Sequence, residues 1–507
     1  MPLNLIHDAW LPVLRNGKPD TIRPHQMAED GVESLNWPRP DLNLACLELL
    51  IGLIYLADPP RDVTDWRERR ADPERLRDLF EGLSSAFNLT GEGPLFLQDL
   101  DKLDGPTSPP DMLFIDSAGE STEKKNADLM VKRARYASLD LPMAAMALYT
   151  LQQFAPSGGA GNRTSIRGGG PMVSLIVPRE RGRTPLWSLV WGNVPEGVPI
   201  KREDLKSVLP WMRPTRTSEK GQVTSPEARS HVTPEVFFGM PRRLRLVTTD
   251  GGVTHVIQRP HGTNYGFWLH PLSPYYSMKE GDEKLPRHPK PGRFGYRNWL
   301  GVVLEGKGKT AYRASCVVEY ARRSREQADV LVAGWATDNM KPLDFVWSIQ
   351  PLFPLSEKAE WDAADMAEAA DLVVRATLMA TKDALGLEKT DSTLLDAQRE
   401  EFYSITQPLF EGVLSRLGSD GASEELRLGW LQEIRRVAMN MFDHIVLPEL
   451  ATADIISRDG LKAPSRRPNA LRIIEVRKRL LRDTHSPKVY ELLRLEAPEK
   501  SKKQRVA

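Results

Sequence analysis

The spacing of apolar residues changes at about residue 354. After this point apolar side chains recur every three or four positions, which is typical of one face of a helix. A single proline, Pro408, occurs between Leu355 and Leu447, and proline breaks helix interiors. Before this point, short apolar runs are separated by prolines and glycines. The pattern predicts an α+β N-terminal domain over residues 1–354 and an all-α C-terminal domain over residues 355–507.

The all-α domain is predicted to contain four amphipathic helices. Ser356 is a suitable N-cap for the first, and Gly386 is a suitable left-handed residue at its C-terminal end. The second begins at Ser392, is interrupted at Pro408 and ends near residue 418. Short connections between the helices favour a four-helix bundle with a basic tail.

Apolar stripes mark the third and fourth of these helices. The third helix carries one stripe made of Leu426, Trp430, Ile434, Val437, Met441 and Ile445. The fourth is predicted from about residue 469 to residue 483, with Leu471, Ile474 and Leu481 facing inward.

The first 354 residues mix helix and strand signals. Two apolar segments, 41–57 and 141–154, are predicted to be buried helices. Short β-branched or apolar runs predict strands, and they lie at residues 171–177, 186–190, 243–248 and 314–320. Because helices and strands do not alternate regularly, an α+β fold is favoured over a doubly wound sheet.

Composition and charge exclude several classes of protein. The 69 Lys and Arg residues nearly balance 68 Asp and Glu, and the net charge of +1 excludes a histone-like polycation. A local excess exists at residues 461–507, where 14 Lys and Arg stand against 5 Asp and Glu. Cys46 and Cys316 are the two cysteines, too few for a disulfide framework or a Cys-rich zinc module.

Targeting and membrane signals are weak. The first ten residues lack the basic and apolar regions of a signal peptide. The longest apolar run, at residues 49–57, is much shorter than the ~20 residues that a bilayer requires. We therefore expect a cytoplasmic protein with no membrane partner.

Motifs for catalysis and for cofactors fail on inspection. The GKGKT sequence at residues 306–310 lacks the first glycine of a P-loop, since Val303 occupies that position. Neither HExxH nor GxSxG occurs, and the nine histidines are scattered. We expect no cofactor and no bound metal. Dispersed Asp and Glu residues could still assemble a two-metal site, so a nucleic-acid enzyme remains an alternative.

The segment 155–171 is the most informative part of the chain. Its sequence is APSGGAGNRTSIRGGGP, with six glycines in two clusters around Arg163 and Arg167. Glycines let a backbone approach a partner closely, and arginines supply phosphate contacts. Both arginines are therefore candidate phosphate contacts. A flexible connecting loop is the alternative.

Five segments occur in an order that resembles the CasA family, the large subunits of the type I-E CRISPR surveillance complex Cascade. They are LNLIHDAWLPVLRNGKPDTI at 3–22, LNWPRPDLNLACLELLIGLIYLA at 35–57, GPLFLQD at 93–99, IRGGGP at 166–171 and YGFWLHPLSPY at 265–275. The resemblance covers nearly the whole chain.

The resemblance implies a non-enzymatic role in antiviral defence. Members of the family read the protospacer-adjacent motif (PAM) of double-stranded target DNA from the minor groove and promote strand separation and R-loop formation. The implied partners are the guide CRISPR RNA, the backbone, small and guide-processing subunits, and the helicase–nuclease. A scaffold subunit without DNA contacts is a further alternative.

The resemblance also assigns roles to individual residues. The glycine loop of the family, which lies at the PAM, corresponds to Gly158, Gly159, Ala160 and Gly161, with an alanine in place of one glycine. The lysine finger corresponds to Arg259, which keeps the charge but not the shape of lysine.

Two further regions are transferred with departures from the family pattern. The strand-separating wedge corresponds to Asn339, which replaces a glutamine and has Asp338 and Met340 as neighbours. Met340 is the better apolar wedge. The loop that contacts the guide RNA handle and neighbouring subunits corresponds to a basic stretch, which consists of Lys124, Lys125, Lys132, Arg133 and Arg135. A solvated charged face is the alternative for this stretch.

Overall fold

The computed structural model describes most of the chain. The described residues are 2–117, 120–126, 135–159, 161–180, 184–226, 232–266, 268–306, 310–324, 326–388, 392–451 and 470–496. Three predicted site residues, Ala160, Lys132 and Arg133, lie outside these ranges, as do residues 461–469 and 497–507 of the basic C-terminal region.

The chain divides into two compact units. The first comprises Met1–Gly292 and Thr310–Leu352, and the second comprises Arg293–Lys309 and Phe353–Ala507. The first unit mixes helices and strands, whereas the secondary structure of the second is helical.

Twelve strands are present in the described part of the first unit. They are β1 (Leu11–Arg15), β2 (Lys18–Ile22), β3 (Val32–Leu35), β4 (Thr107–Ser108), β5 (Val173–Pro178), β6 (Arg243–Thr249), β7 (Gly252–Arg259), β8 (Tyr275–Tyr276), β9 (Leu285–Pro286), β10 (Ala311–Tyr312), β11 (Ala328–Asp338) and β12 (Lys341–Pro351). They form four three-stranded sheets, ordered β2-β1-β3, β10-β8-β9, β12-β11-β5 and β4-β7-β6. Within these sheets, neighbouring strands are antiparallel.

Thirteen α-helices lie in the described residues. Those of the first unit are α1 (Pro40–Ala57), α2 (Val63–Glu68), α3 (Pro73–Glu81), α4 (Glu120–Lys124), α5 (Leu141–Phe154), α6 (Leu186–Trp191), α7 (Leu205–Val208) and α8 (Ser315–Arg323). Those of the second are α9 (Glu357–Leu385), α10 (Ser392–Leu414), α11 (Glu424–Val446), α12 (Ala470–Asp483) and α13 (Pro487–Leu492).

Helices α1 and α5 pack together in the core of the first unit. Both were predicted from their apolar sequences. By length and composition α1 could cross a membrane, but 89% of it is buried inside the protein, as in the core helix of a folded domain. Its Asp41 and Glu48 are buried, and Glu48 becomes important at the site described below.

Two predicted strands are helices. Residues 186–190 belong to α6, in which Trp187 and Trp191 stack at a ring distance of 5.3 Å, because residues four apart share one helix face. Residues 314–320 overlap α8, whose buried Cys316 and Tyr320 have the same spacing. A run of five to seven apolar residues suits either structure, so the spacing of the buried residues decides.

Helices α9, α10, α11 and α12 lie close to their predicted positions, and α9 packs against the other three. Ser356 caps α9 by accepting a hydrogen bond from the amide of Ala359, and Gly386 ends it with φ of +64°. The predicted interruption at Pro408 is wrong, because α10 continues through it. Phe402 and Phe410, on either side of the proline, are both fully buried in the core. The arrangement of these helices as one four-helix bundle stays a prediction.

The predicted inward face of α12 is wrong. Leu471, Ile474 and Leu481 are between 37% and 59% exposed. The inward residues are instead Ile473, Val476 and Leu480, which pack against α9 and α11. Both sets have helical spacing, and the sequence alone does not show which one meets the core.

The segment Arg293–Lys309 belongs to the second unit, a feature that a single boundary at residue 354 omits. Tyr296 stacks on Phe410 at a ring distance of 4.4 Å and lies 2.8 Å from Thr406 through its hydroxyl. Trp299, fully buried, lies 5.8 Å from the same phenylalanine ring. Aromatic packing therefore holds this distant segment in the helical core.

We expect Trp299→Ala to destabilise the second unit by about 3–5 kcal/mol, since it removes a fully buried indole. Hydrogen exchange followed by mass spectrometry should show faster exchange in α9, α10 and α11. The matched control is Trp361→Ala, because Trp361 is half exposed. Equal acceleration in β5 and β11 of the first unit would contradict this packing assignment.

Candidate nucleic-acid interface

The glycine-rich segment begins where α5 ends, and two buried glutamines fix that point. Nε2 of Gln152 donates to the carbonyl oxygens of Leu97 and Arg242, at 3.1 and 3.0 Å. Nε2 of Gln153 donates to the carbonyl oxygen of Gly239 at 3.0 Å. The first glycine cluster therefore starts from a fixed position.

Arg167 fixes the other end of the segment, and it is not a phosphate contact. Nη2 of Arg167 donates to both carboxylate oxygens of Glu48, at 2.8 and 2.9 Å, and Nη1 donates to Ser273 at 3.2 Å. The side chains of Arg167 and Glu48 are both 0% exposed. The phosphate role predicted for Arg167 is therefore wrong, since its charge is neutralised inside the core.

The electrostatics of this ion pair include a nearby histidine. Burial alone would raise the pKa of Glu48, but Arg167 and His270 outweigh it and hold that pKa below its usual value. Burial, together with the charge of Arg167, lowers the pKa of His270 to about 4. At neutral pH the site therefore contains an ionised carboxylate and a neutral imidazole.

Gly158 and Gly161 are packing glycines. A Cβ atom at Gly158 would lie 2.7 Å from Nη1 of Arg242, and one at Gly161 would lie 2.7 Å from Nδ1 of His261. The amide of Asn162 donates to the carbonyl oxygen of Gly159 at 2.7 Å and closes the turn. Because these two glycines have no Cβ atom, the side chains of Arg242 and His261 can pack against the loop backbone.

Gly159 is different from its neighbours. Its φ of +65° is a left-handed conformation, and a Cβ atom there would meet no described atom within 4 Å. The backbone at Gly159 is therefore open to an approaching partner, and its glycine is required by conformation rather than by packing.

The end of β7 contacts the glycine loop through residues other than Arg259. Nε2 of Gln258 donates to Asn162 at 2.7 Å, and the amide of His261 donates to the carbonyl oxygen of Gly161 at 2.9 Å. Successive side chains of a strand alternate, so the exposed Arg259 reaches elsewhere. Its Nη1 lies 3.4 Å from the position of a Cβ atom at Gly105.

The three predicted wedge residues lie at the tip of the β11–β12 hairpin. Asp338 pairs with Lys341, which leaves a two-residue turn made of Asn339 and Met340, with φ of +46° and +65°. Positive φ at both central residues is the type I′ pattern of tight hairpins. A methionine in this conformation is unusual, and here it places a 45% exposed apolar side chain at the tip.

The hairpin tip and the glycine-rich segment meet at Gly169. A Cβ atom at Gly169 would lie 3.1 Å from Sδ of Met340 and 3.2 Å from Cα of Pro156. One at Gly170 would lie 3.1 Å from the carbonyl oxygen of Trp335. The second glycine cluster thus brings the predicted loop and the predicted wedge side by side.

The basic stretch before α5 contains exposed lysines and a paired arginine. Lys124, at the end of α4, and Lys125 are exposed. Arg135 instead donates to both carboxylate oxygens of Asp116, at 2.8 and 2.9 Å, and stacks on Phe114. Asp116 therefore already compensates the charge of Arg135, and its contact with the guide RNA handle or a neighbouring subunit stays a prediction.

Arg163 remains in a position to contact a partner. Its Nε donates to Oγ of Ser218 at 2.8 Å, and no carboxylate of the described residues pairs with it.

Sequence reasoning missed Arg242, Gln258 and His261 because none belongs to a motif. The described ranges contain no group of three His, Cys, Asp or Glu side chains that could hold a metal ion.

The sequence matches a protein-family model over most of its length. A family model described as CRISPR-associated protein Cse1 matches residues 4–441. The chain belongs to the Cse1 family. This confirms the resemblance carried by the five ordered segments, since Cse1 and CasA name the same protein in a solved structure.

Solved Cse1 structures share the fold over nearly their whole length. Thermus thermophilus CasA (Cse1) gives a TM-score of 0.67 at 17% identity, covering 97% of this chain and 99% of that chain. Cse1 from Acidimicrobium ferrooxidans gives 0.66 at 19%, covering 98% and 99%. A chain of a CRISPR RNA-guided surveillance complex gives 0.67 at 16%, covering 96% and 100%.

We expect Glu48→Gln to destabilise this Cse1-family protein by about 3–5 kcal/mol, because it leaves the buried charge of Arg167 without its partner. Urea denaturation at neutral pH measures the change. Glu203→Gln is the control, since Glu203 forms a fully solvated pair with Lys201 at 3.9 Å and should change stability by less than about 1 kcal/mol. Equal, small effects of both substitutions would show that the pair does not anchor the loop.

Proposed function

We propose that this chain is the large subunit of a type I-E Cascade complex. In this role it is a non-enzymatic, cytoplasmic protein that assembles with guide CRISPR RNA and with the backbone, small and guide-processing subunits. Membership of the Cse1 family supports this role, as does a shared fold with a chain of an RNA-guided surveillance complex.

Within that complex, the glycine loop reads the PAM of double-stranded DNA from the minor groove. The observation that carries this proposal is the open backbone at Gly159, held between Arg242 and His261 on a fixed base. The minor groove is about 6 Å wide, so a loop tip without a Cβ atom fits it better than a helix does. Arg163 supplies positive charge from within the same segment, and the exposed Arg259 supplies a second cation at the end of β7.

The hairpin tip would separate the strands next to the loop. Met340 is apolar, half exposed and adjacent to the glycine-rich segment through Gly169. Apolar side chains that enter between base pairs unstack them and open the duplex. Strand separation at this point lets the guide RNA pair with the target strand and form the R-loop.

Three further features complete the proposed role. Lys124 and Lys125 contact the handle of the guide RNA, a contact that their exposure permits. The helices of the second unit form a four-helix bundle that meets the neighbouring subunits. The assembled subunit also provides the docking surface for the helicase–nuclease.

Gly159→Asp should abolish PAM discrimination, because it adds both bulk and negative charge at the point of closest approach. The PAM is first selected from a randomised duplex library by the wild-type complex. Competition between PAM and non-PAM duplexes then measures discrimination, which should fall by about 10-fold or more. Gly281→Asp is the matched control, since Gly281 has φ of +85° and equally open space. An unchanged preference in Gly159→Asp would refute the role of the loop.

Arg259→Ala should weaken binding of the complex to a PAM-containing duplex by roughly 10-fold, while binding to a target opened beforehand as a single strand stays nearly unchanged. Only the intact duplex presents a groove to this side chain. Filter binding measures the ratio of the affinities for the two substrates. Arg202→Ala is the control, because Arg202 is also an exposed arginine of the first unit. Equal losses on both substrates would count against a groove contact by Arg259.

A further inference from the structure

Arg242 is a buried cation without a carboxylate partner. It is 6% exposed, and no Asp or Glu of the described residues forms an ion pair with it. Its Nη2 donates to the carbonyl oxygen of Pro156 at 2.5 Å, while Nε is buried without a hydrogen-bond partner. Burial lowers the pKa of Arg242 to about 10, so the guanidinium is still charged at neutral pH.

The position of Arg242 is fixed from behind. Gln152 accepts a hydrogen bond from the backbone amide of Arg242 at 3.0 Å and donates to its carbonyl oxygen at 3.0 Å. The next residue, Arg243, pairs with Asp99 at 2.6 Å. Of two consecutive arginines, the one beneath the glycine loop is therefore the one left without a counter-charge.

The guanidinium of Arg242 lies against the loop backbone at Gly158. A Cβ atom at Gly158 would be 2.7 Å from Nη1 and 3.3 Å from Nη2. Nη1 makes no hydrogen bond within the described residues, and its own surface is not fully enclosed, unlike that of Nε. A desolvated cation is costly unless an anion compensates it, and here the donor without a partner lies beside the exposed Gly158.

We propose that Arg242 binds one backbone phosphate of the target duplex when the loop enters the groove. The inference rests on the proposed function, because it requires the duplex to lie against Gly158 and Gly159. A charge-assisted hydrogen bond in this water-poor setting is stronger than one at the surface. Arg242 would then position the duplex on the loop, leaving sequence discrimination to the loop tip.

Two measurements on the assembled complex test this assignment. First, single methylphosphonates, which neutralise one phosphate at a time, are placed along both strands around the PAM. One position should weaken binding to the wild type by roughly 10-fold or more. In the Arg242→Gln complex the same methylphosphonate should have little further effect on binding, because the protein change and the DNA change remove the same interaction.

Second, the salt dependence of binding should change in Arg242→Gln. The slope of log K against log salt should become shallower by about 0.9, as for the loss of one phosphate contact. Arg242→Lys should keep most of the wild-type slope. Arg435→Gln is the matched control, since Arg435 is a desolvated arginine of the second unit, and its slope should equal that of the wild type.

Several results would overturn the proposal. It fails if no single phosphate near the PAM matters to the wild type, a result that needs no variant to fold. It also fails if Arg242→Gln keeps the full salt slope, or if it weakens subunit assembly but not DNA binding, since the counter-ion is then a carboxylate of a partner protein. If these tests fail but Gly159→Asp still abolishes PAM discrimination, the phosphate contact is refuted and the proposed function stands. If the wild-type complex shows no PAM preference, both the proposed function and the phosphate contact are refuted.

Discussion

The buried ion pair between Arg167 and Glu48 makes an open glycine loop possible in this fold. A segment with six glycines loses much conformational entropy when it is ordered, and it would be a mobile connector unless both of its ends were held. Arg167 ties one end to α1 through two hydrogen bonds to Glu48. Buried glutamines of α5 hold the other end, so both ends of the segment are anchored in the core.

With its ends fixed, the segment divides its glycines between two tasks. Gly158, Gly161, Gly169 and Gly170 allow close contacts with Arg242, His261, Met340 and β11 respectively. Gly159 alone among these has open space around it. The same composition thus allows close packing at four glycines and leaves open space at Gly159, while Met340 of the hairpin tip packs beside Gly169.

Sequence reasoning succeeded where local chemistry decides structure. The caps at Ser356 and Gly386 and the long apolar helix α1 could be predicted because their signals are contained within a few residues. Short apolar runs at α6 and α8 were misassigned, since tertiary packing decides between helix and strand there. For the same reason Arg167 was taken for a surface cation: its partner Glu48 is 119 residues away, and no spacing rule links the two. The family resemblance pointed to the loop and the hairpin tip as candidates, but only the structure shows Arg242 next to Gly158.

The most direct measurement of the central claim is an electron cryo-microscopy map of the assembled complex on a PAM-containing duplex. In that map the backbone of residues 157–161 should lie within the minor groove beside the motif, with Met340 next to the first separated base pair. A map that places this loop away from the duplex, or buried against another subunit, would contradict the account even though the family assignment would stand.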